Sequence, residues 1–213
     1  MRVRAPAPRT AFQVVRGQEG PIESIAGERH AWRFRPHFHA GDEVVRMLAG
    51  RARLKLPAGC RMVAAGDTVT VPSGTVHCFE PVDDHGWAFV SQFVAKPAPS
   101  PATDGGGTLG EQARALLVRR SSLRTGVEGV AQACGVSAGH LARAFRRETG
   151  TGLHNFHILL ALHRAKALLR MQMPIVEAAL AAGFYDQAHL NREFVKTFGM
   201  TPAAFRLGWA ATH

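Results

Sequence analysis

The sequence predicts an all-β domain followed by an all-α domain in which two helix-turn-helix motifs are joined by a long helix. Three observations predict it. Short runs alternating apolar with other residues, punctuated by glycine and proline, fill the first hundred residues. The stretch KPAPSPATDGGGT, ending at Thr108, is poor in large apolar residues and reads as a linker, stiff where proline dominates and flexible at its three glycines. Beyond it the period becomes helical, and one pattern occurs twice, at 127–156 and 175–205. The divisions are 1–96, a linker 97–108, and 109–213.

In the first domain RARLKL (51–56) and DTVTV (67–71) carry the alternation of half-buried strands. Its chemistry gathers in two stretches: His37-Phe-His39 with Glu43 and Gly50, and Gly66 through Pro72 and Gly74 to His77. Strand alternation puts His37 and His39 on one face. A bend at Ala40-Gly41 lets Glu43 rejoin that face, and the Pro72-Ser-Gly74 turn lets His77 approach from a neighbouring strand. Three imidazoles and a carboxylate suit a divalent transition metal (Ni, Zn, Fe, Cu or Mn), with positions left for water or ligand. The alternative is a polar network in an effector pocket without metal. Arg33, Arg35 and Arg46 could help hold an anion, although strand arginines usually face solvent.

In the second domain Thr108 with Glu111, and Thr125 with Glu128, fit capping boxes at helix starts. Pro174 and Pro202 suit first helical turns. Between the repeats, residues 154–170 read as one long amphipathic helix. Aligning the repeats matches Gly135 with Gly183, Leu141 with Leu190, Arg143 with Arg192, Phe145 with Phe194, Gly150 with Gly199 and Phe156 with Phe205. Each copy is a short Ala-rich helix, a glycine turn and an amphipathic helix with arginines, the pattern that lays a second helix in the DNA major groove. Leu141 and Phe145, four residues apart, face inward, which leaves Gly139, His140, Arg143 and Arg146 for the groove. Leu190 and Phe194 likewise leave Gln187, Ala188, Asn191 and Arg192. Arginine reads guanine and Gln or Asn reads adenine; the matched arginines could instead hold phosphate or a partner helix. Gly139 and Ala142 offer little to hydrogen-bond, so the second motif or phosphate contacts should carry more of the binding. His154, His157 and His163 share the long helix without an evident further ligand, and a solvated or groove-edge face is expected for them.

Charge agrees with a polyanionic partner. The net charge is +10, and 13 Lys+Arg against 6 Asp+Glu after residue 108 leave +7 there and +3 before it. Cys60, Cys78 and Cys134 are scattered, which favours reduced thiols in the cytoplasm over a disulfide framework. No apolar run reaches the roughly 20 residues of a membrane span, and MRVRAPAPRT lacks the apolar core of a secretory signal.

Residues 109–207, above all AALAAGFYDQAHLNREFVKTFGMTPAAFR (178–206), resemble the AraC/XylS-type bacterial transcription regulators. Ala161 departs from that pattern, standing where relatives commonly carry arginine. About residues 10 to 95 resemble the cupin superfamily of small β-barrels: HxHxxxE and a later glycine match its first motif, and GxxxxxPxGxxH its second. Pro81 and Ala31 depart from it. Together the resemblances imply a cupin-like sensor domain and a reader of double-stranded DNA. A small-molecule or metal effector would then change DNA binding or recruitment of RNA polymerase. A homodimer through the barrel and a monomer reading both half-sites are both compatible with the sequence. A metal-dependent cupin enzyme (dioxygenase or isomerase) fused to a DNA-binding domain is the alternative, and a pure metal sensor a third.

Overall fold

A computed structural model describes residues 10–18, 20–30, 34–94, 107–119, 123 and 126–211. Most of the linker, Thr125, Ala31 and Arg33 lie outside them. The first domain is built of seven strands: β1 (Thr10–Gly17), β2 (Gly20–His30), β3 (Asp42–Leu56), β4 (Gly59–Ala64), β5 (Thr68–Val71), β6 (Cys78–Pro81) and β7 (Trp87–Val94). All pairings are antiparallel, in the order β1-β2-β7-β3-β4, and β5 and β6 also pair with β3.

The 15-residue β3 organises this domain. Its first half buries Glu43, Val45 and Met47, whereas its second half buries Ala52 and Leu54. Odd positions give way to even ones because the pairing with β7 slips between Met47 and Ala49. Such a slip turns the strand's apolar set to its other face, so β3 serves two walls. Gly50 sits at the turn with φ +71°, and a Cβ there would lie 2.1 Å from the Gly86 carbonyl oxygen. Only glycine fits.

The second domain comprises α1 (Leu109–Arg119), α2 (Val127–Ala133), α3 (Ala138–Thr149), α4 (Leu153–Arg170), α5 (Ile175–Ala181), α6 (Gln187–Phe198) and α7 (Pro202–Ala210). The Thr108 box forms as expected: its amide donates to Glu111 at 2.8 Å, and the Glu111 amide donates to its hydroxyl at 3.3 Å. Thr125 of the second box lies outside the described residues. Gly126, one residue after Thr125, is the N-cap of α2 and gives no side-chain cap. Pro202 opens α7, while Pro174 is the N-cap of α5. Ser137 and Asp186 cap α3 and α6 by accepting the amides of His140 and His189. Both helices end on the matched Gly150 and Gly199, left-handed at φ +75° and +71°, a conformation that spares the helix end its unpaired carbonyls.

The apolar interior follows the division of the chain only in part. One core holds Val45, Met47, Leu54 and Trp87 of the barrel together with Leu159, Leu162, Leu169, Leu190, Phe194 and Phe205 of α4, α6 and α7. A second core lies among α1, α2, α3 and the start of α4, around Leu117, Leu141, Phe145 and Phe156. The barrel and the second helix-turn-helix therefore share one interior, while the first motif has its own. The aromatic ring of Phe38 packs against both.

Candidate functional site

The His37–His39 segment is an irregular crossing rather than the expected strand. A single bridge holds it: the His37 amide donates to the His77 carbonyl at 2.9 Å, and the His77 amide donates back at 2.8 Å. The Gly74 amide donates to the His39 carbonyl at 2.9 Å, and the Ser73 hydroxyl donates to that of Ala40 at 2.7 Å. The Pro72-Ser-Gly74 turn thus clips the two motif stretches together. The local alternation survives without the strand, with His37 and His39 inward and Phe38 between them outward against α4.

His37, His39, Glu43 and His77 are each no more than 6 % exposed. Ligating nitrogens of the three histidines lie within 4.8 Å of one another, close to the ~4.2 Å spanned by two opposed metal–nitrogen bonds. The Nδ1 of His37 is 2.7 Å from the Arg35 carbonyl, and that of His77 is 3.0 Å from the Thr75 carbonyl. Those contacts fix the rings and leave Nε2 as the ligating nitrogen, as a second shell does around a metal. Glu43 Oε2 comes within 2.8 Å of His77 Nε2 and 3.5 Å of His39 Nε2. These three atoms and His39 Nδ1 nevertheless make no hydrogen bond. Buried polar atoms left unpaired are costly, and a cation among them would satisfy Glu43 Oε2, His77 Nε2 and one nitrogen of His39. The donor set fits a divalent transition metal.

The charge states of two of the three imidazoles suit a metal. Burial, reinforced by His77, lowers the pKa of His37 to about 4. Burial, reinforced by His37, holds His39 well below its usual value. Burial pushes the Glu43 carboxyl up, but His77 beside it outweighs that and leaves it lowered. His37 and His39 are thus held neutral beside an ionised carboxylate, the states metal ligands need; at His77 burial works downward, but Glu43 outweighs it and leaves the pKa raised. The space against this cluster is about 30 Å³, room for an ion and a water or two.

In the helical domain Leu141, Phe145, Leu190 and Phe194 are wholly buried. Gly139, His140, Arg143 and Arg146 on α3 are exposed, as are Gln187, Ala188, Asn191 and Arg192 on α6. Arg35 turns from the barrel to pair with Glu193 on the inner side of α6, and Arg46 is exposed, so neither serves an anion at the histidines. His157 is buried and His163 half-buried, against the expectation of a solvated face. The His163 ring stacks on Phe38, and its Nε2 lies 2.9 Å from the Phe38 carbonyl. Ala161 is wholly buried in the shared core, where arginine would not fit.

Two family models match separate parts of the chain. The model of the AraC-like ligand binding domain matches residues 19–91, and that of a helix-turn-helix domain matches 130–208. The chain joins an AraC-like ligand-binding domain to an AraC-type helix-turn-helix domain. It is 32% identical over 120 residues to the HTH-type transcriptional regulator GlxA of Rhizobium meliloti, covering 53% of this chain and 37% of that protein. It is 37% identical over 81 residues to the probable transcription factor PqrA of Proteus vulgaris, covering 38% and 66%. The match thus spans about a third of the first relative's length and just under two thirds of the second's. A solved AraC-type regulator from Chromobacterium violaceum aligns at 27% identity over 49% of this chain and 95% of that one, with a TM-score of 0.45. A cupin 2 barrel protein from Salinispora arenicola aligns at 21% over 43% and 79%, with a TM-score of 0.35.

Between the AraC-like domain and the helix-turn-helix domain lies a set of residues that sequence reasoning missed. Lys166 of α4 is buried, and its Nζ lies 2.8 Å from Glu23 of β2. Arg170 and Trp209 also donate to Glu23, at 2.7 and 3.0 Å. A signal existed: Lys166 shares a helical face with Leu162 and Leu169, at i+4 and i+3 spacing, where a charge needs a buried partner.

Proposed function

We propose that the chain is a sequence-specific DNA-binding transcription regulator whose barrel senses a metal ion or a metal-chelated small molecule. The observation that carries DNA reading is the paired exposure on α3 and α6. Each helix buries a Leu and a Phe completely and presents polar side chains at its N-terminal half, the part that reaches base edges in a helix-turn-helix. Gln187 and Asn191 can pair with adenine and Arg143 and Arg192 with guanine or phosphate. Gly139 and Ala142 leave α3 with fewer donors, so α6 carries more of the base discrimination. A regulator of this kind works in the cytoplasm, in keeping with three free thiols. Among the described residues no helix is long and apolar enough to cross a membrane.

His37, His39, Glu43 and His77 would hold the ion, and a bound divalent metal supplies a Lewis-acidic anchor for a chelating effector. The 30 Å³ beside them suits an ion and water, which favours the ion itself as the signal over a chelated organic molecule. Phe38 gives the signal a route. It stands between two candidate ligands and stacks on Phe156 and His163 of α4, with ring centroids 5.4 and 4.6 Å apart. Because α4 links both motifs, a shift of the 37–39 segment changes their mutual setting, and with it DNA affinity or recruitment of RNA polymerase.

The test is competition binding with a promoter fragment against random DNA, at fixed salt, with and without added metal. A preference of 100-fold or more for one fragment is expected; equal affinity for all fragments in every condition refutes the proposal.

A further inference from the structure

The barrel meets both reading helices at the same end. Gly150, the C-cap of α3, stands against the tip of the β3–β4 hairpin, where a Cβ on the glycine would lie 3.5 Å from Pro57 Cγ. Gly199, the C-cap of α6, accepts the Thr10 hydroxyl on its carbonyl at 2.6 Å and has the Phe34 ring beside it. The candidate base contacts lie towards the opposite ends of the two helices. A 12-residue helix is roughly 18 Å long, more than the ~12 Å width of the major groove. With its first turns at base edges, its last turn therefore reaches the phosphate wall. Arg146 and Arg147 are exposed on that last turn of α3, and the β3–β4 hairpin follows directly.

This hairpin is more basic than its neighbours neutralise. Arg51 pairs with Asp83 at 3.1 Å and Lys55 with Glu80 at 2.8 Å. Arg53 stands opposite Met62 on β4 and Glu80 on β6, but Glu80 is taken by Lys55. Arg61 stands opposite Leu54 and so belongs to the other face of the ribbon. It is exposed because β4 is the last strand of the sheet order. Arg53 is exposed too, and among the described residues neither arginine forms a salt bridge or hydrogen bond. Each face of the ribbon thus carries a guanidinium without a counter-ion. The carboxylate on the path from α3 to the hairpin, Glu148, is turned elsewhere: it accepts from Thr108 and Gly110 at the start of α1, at 2.7 and 2.9 Å.

We propose that the β3–β4 ribbon of the barrel is a further DNA-contacting element, holding backbone phosphates beyond the half-site of the first motif through Arg53 and Arg61. Guanidinium groups bind phosphate oxygens without regard to sequence. The ribbon therefore adds affinity and lengthens the footprint, and leaves base discrimination to α3 and α6. It stands beside the motif that Gly139 and Ala142 leave poor in donors of its own. The inference rests on DNA reading by α3 and α6 and goes beyond it by giving the barrel a share in the contact. Because the ribbon sits next to α3 only while the two domains are docked, DNA that touches it favours the docked arrangement.

The full chain and its Arg53→Gln, Arg61→Gln double variant are titrated across a salt series with a long promoter duplex, a random duplex of equal length, and a promoter duplex trimmed to the two half-sites. Each phosphate contact contributes about 0.9 to the slope of log affinity against log salt. The double variant should therefore flatten that slope by about 1 to 2 on both long duplexes and bind each about fivefold or more weaker at low salt. On the trimmed duplex it should bind as the parent does. Arg53→Lys with Arg61→Lys should recover most of the slope, since lysine still holds phosphate as a point charge. Arg46→Gln is the charge control. It is exposed and seven residues back along β3, roughly 23 Å from Arg53 and beyond the ~10 Å over which exposed charges act at 0.1 M salt. It should leave the slope unchanged, and every variant should melt with the parent. The inference is overturned if the double variant keeps the parent's slope on the long duplexes, if its loss is as large on the trimmed one, or if Arg46→Gln flattens the slope as much. A flattened slope without preference among sequences would count against base reading alone, and sequence preference with an unchanged slope against the ribbon alone.

Discussion

His37, Phe38 and His39 are consecutive, yet they face two structures. The imidazoles point into the barrel towards Glu43 and His77, and the phenyl ring points out into both apolar cores. Ligand site and linking helix are therefore one residue apart. Phe38→Ala should keep metal binding and specific DNA affinity while cutting the effect of metal on that affinity at least fivefold, as read by the same DNA titration with and without metal. The His37→Ala, His39→Ala double variant should lose bound metal by elemental analysis; retained stoichiometric metal would place the ion elsewhere. The four candidate ligands were legible because the spacing carried them. Lys166 and Glu23 were not, since 143 residues separate them and no local pattern says which strand a helix will meet.

At the scale of elements, α3 and α6 share a scaffold down to side-chain caps at one end and left-handed glycines at the other. That scaffold was legible because apolar spacing and glycine placement are local properties. Their reading faces differ. Asn191→Ala and Gln187→Ala should each cost about 1–3 kcal/mol against the preferred fragment and relax its specificity. Substitution of Gly139 or Ala142 by Ser should change affinity little, with competition titrations separating the cases. If Arg146 and Arg192 hold phosphate, their loss should weaken all DNA alike and flatten the salt dependence. One expectation at this scale failed for a local reason. The His37–His39 stretch pairs through a single bridge, so alternation persists without a strand.

For the whole molecule, the decisive fact is the interior shared by the barrel, α4, α6 and α7. Glu23 sits at its polar edge, receiving Lys166 and Arg170 from α4 and Trp209 from α7. Burial works to raise its carboxyl, but Lys166 and then Arg170 overcome this and bring the pKa from 4.5 down to about 2. A carboxyl depressed on folding contributes stability that is complete above its unfolded pKa and fades as the pH falls through the folded one. Glu23→Gln should therefore lower the melting temperature most at neutral pH, and its difference from the parent should shrink between pH 4.5 and 2. A constant difference would place the role of Glu23 in packing rather than charge.

The sequence by itself determined the two kinds of domain, the duplicated motif, the exposed candidates for DNA and the four residues of the buried histidine–glutamate cluster. Each depends on periodicity or short spacing, which a chain displays before it folds. Tertiary structure alone decided that the barrel shares its core with the second motif, that Arg35 turns to Glu193, and that Lys166 and Arg170 close on Glu23. These contacts join residues more than a hundred positions apart, and which surfaces meet depends on the apolar area and buried charge that docking can satisfy together.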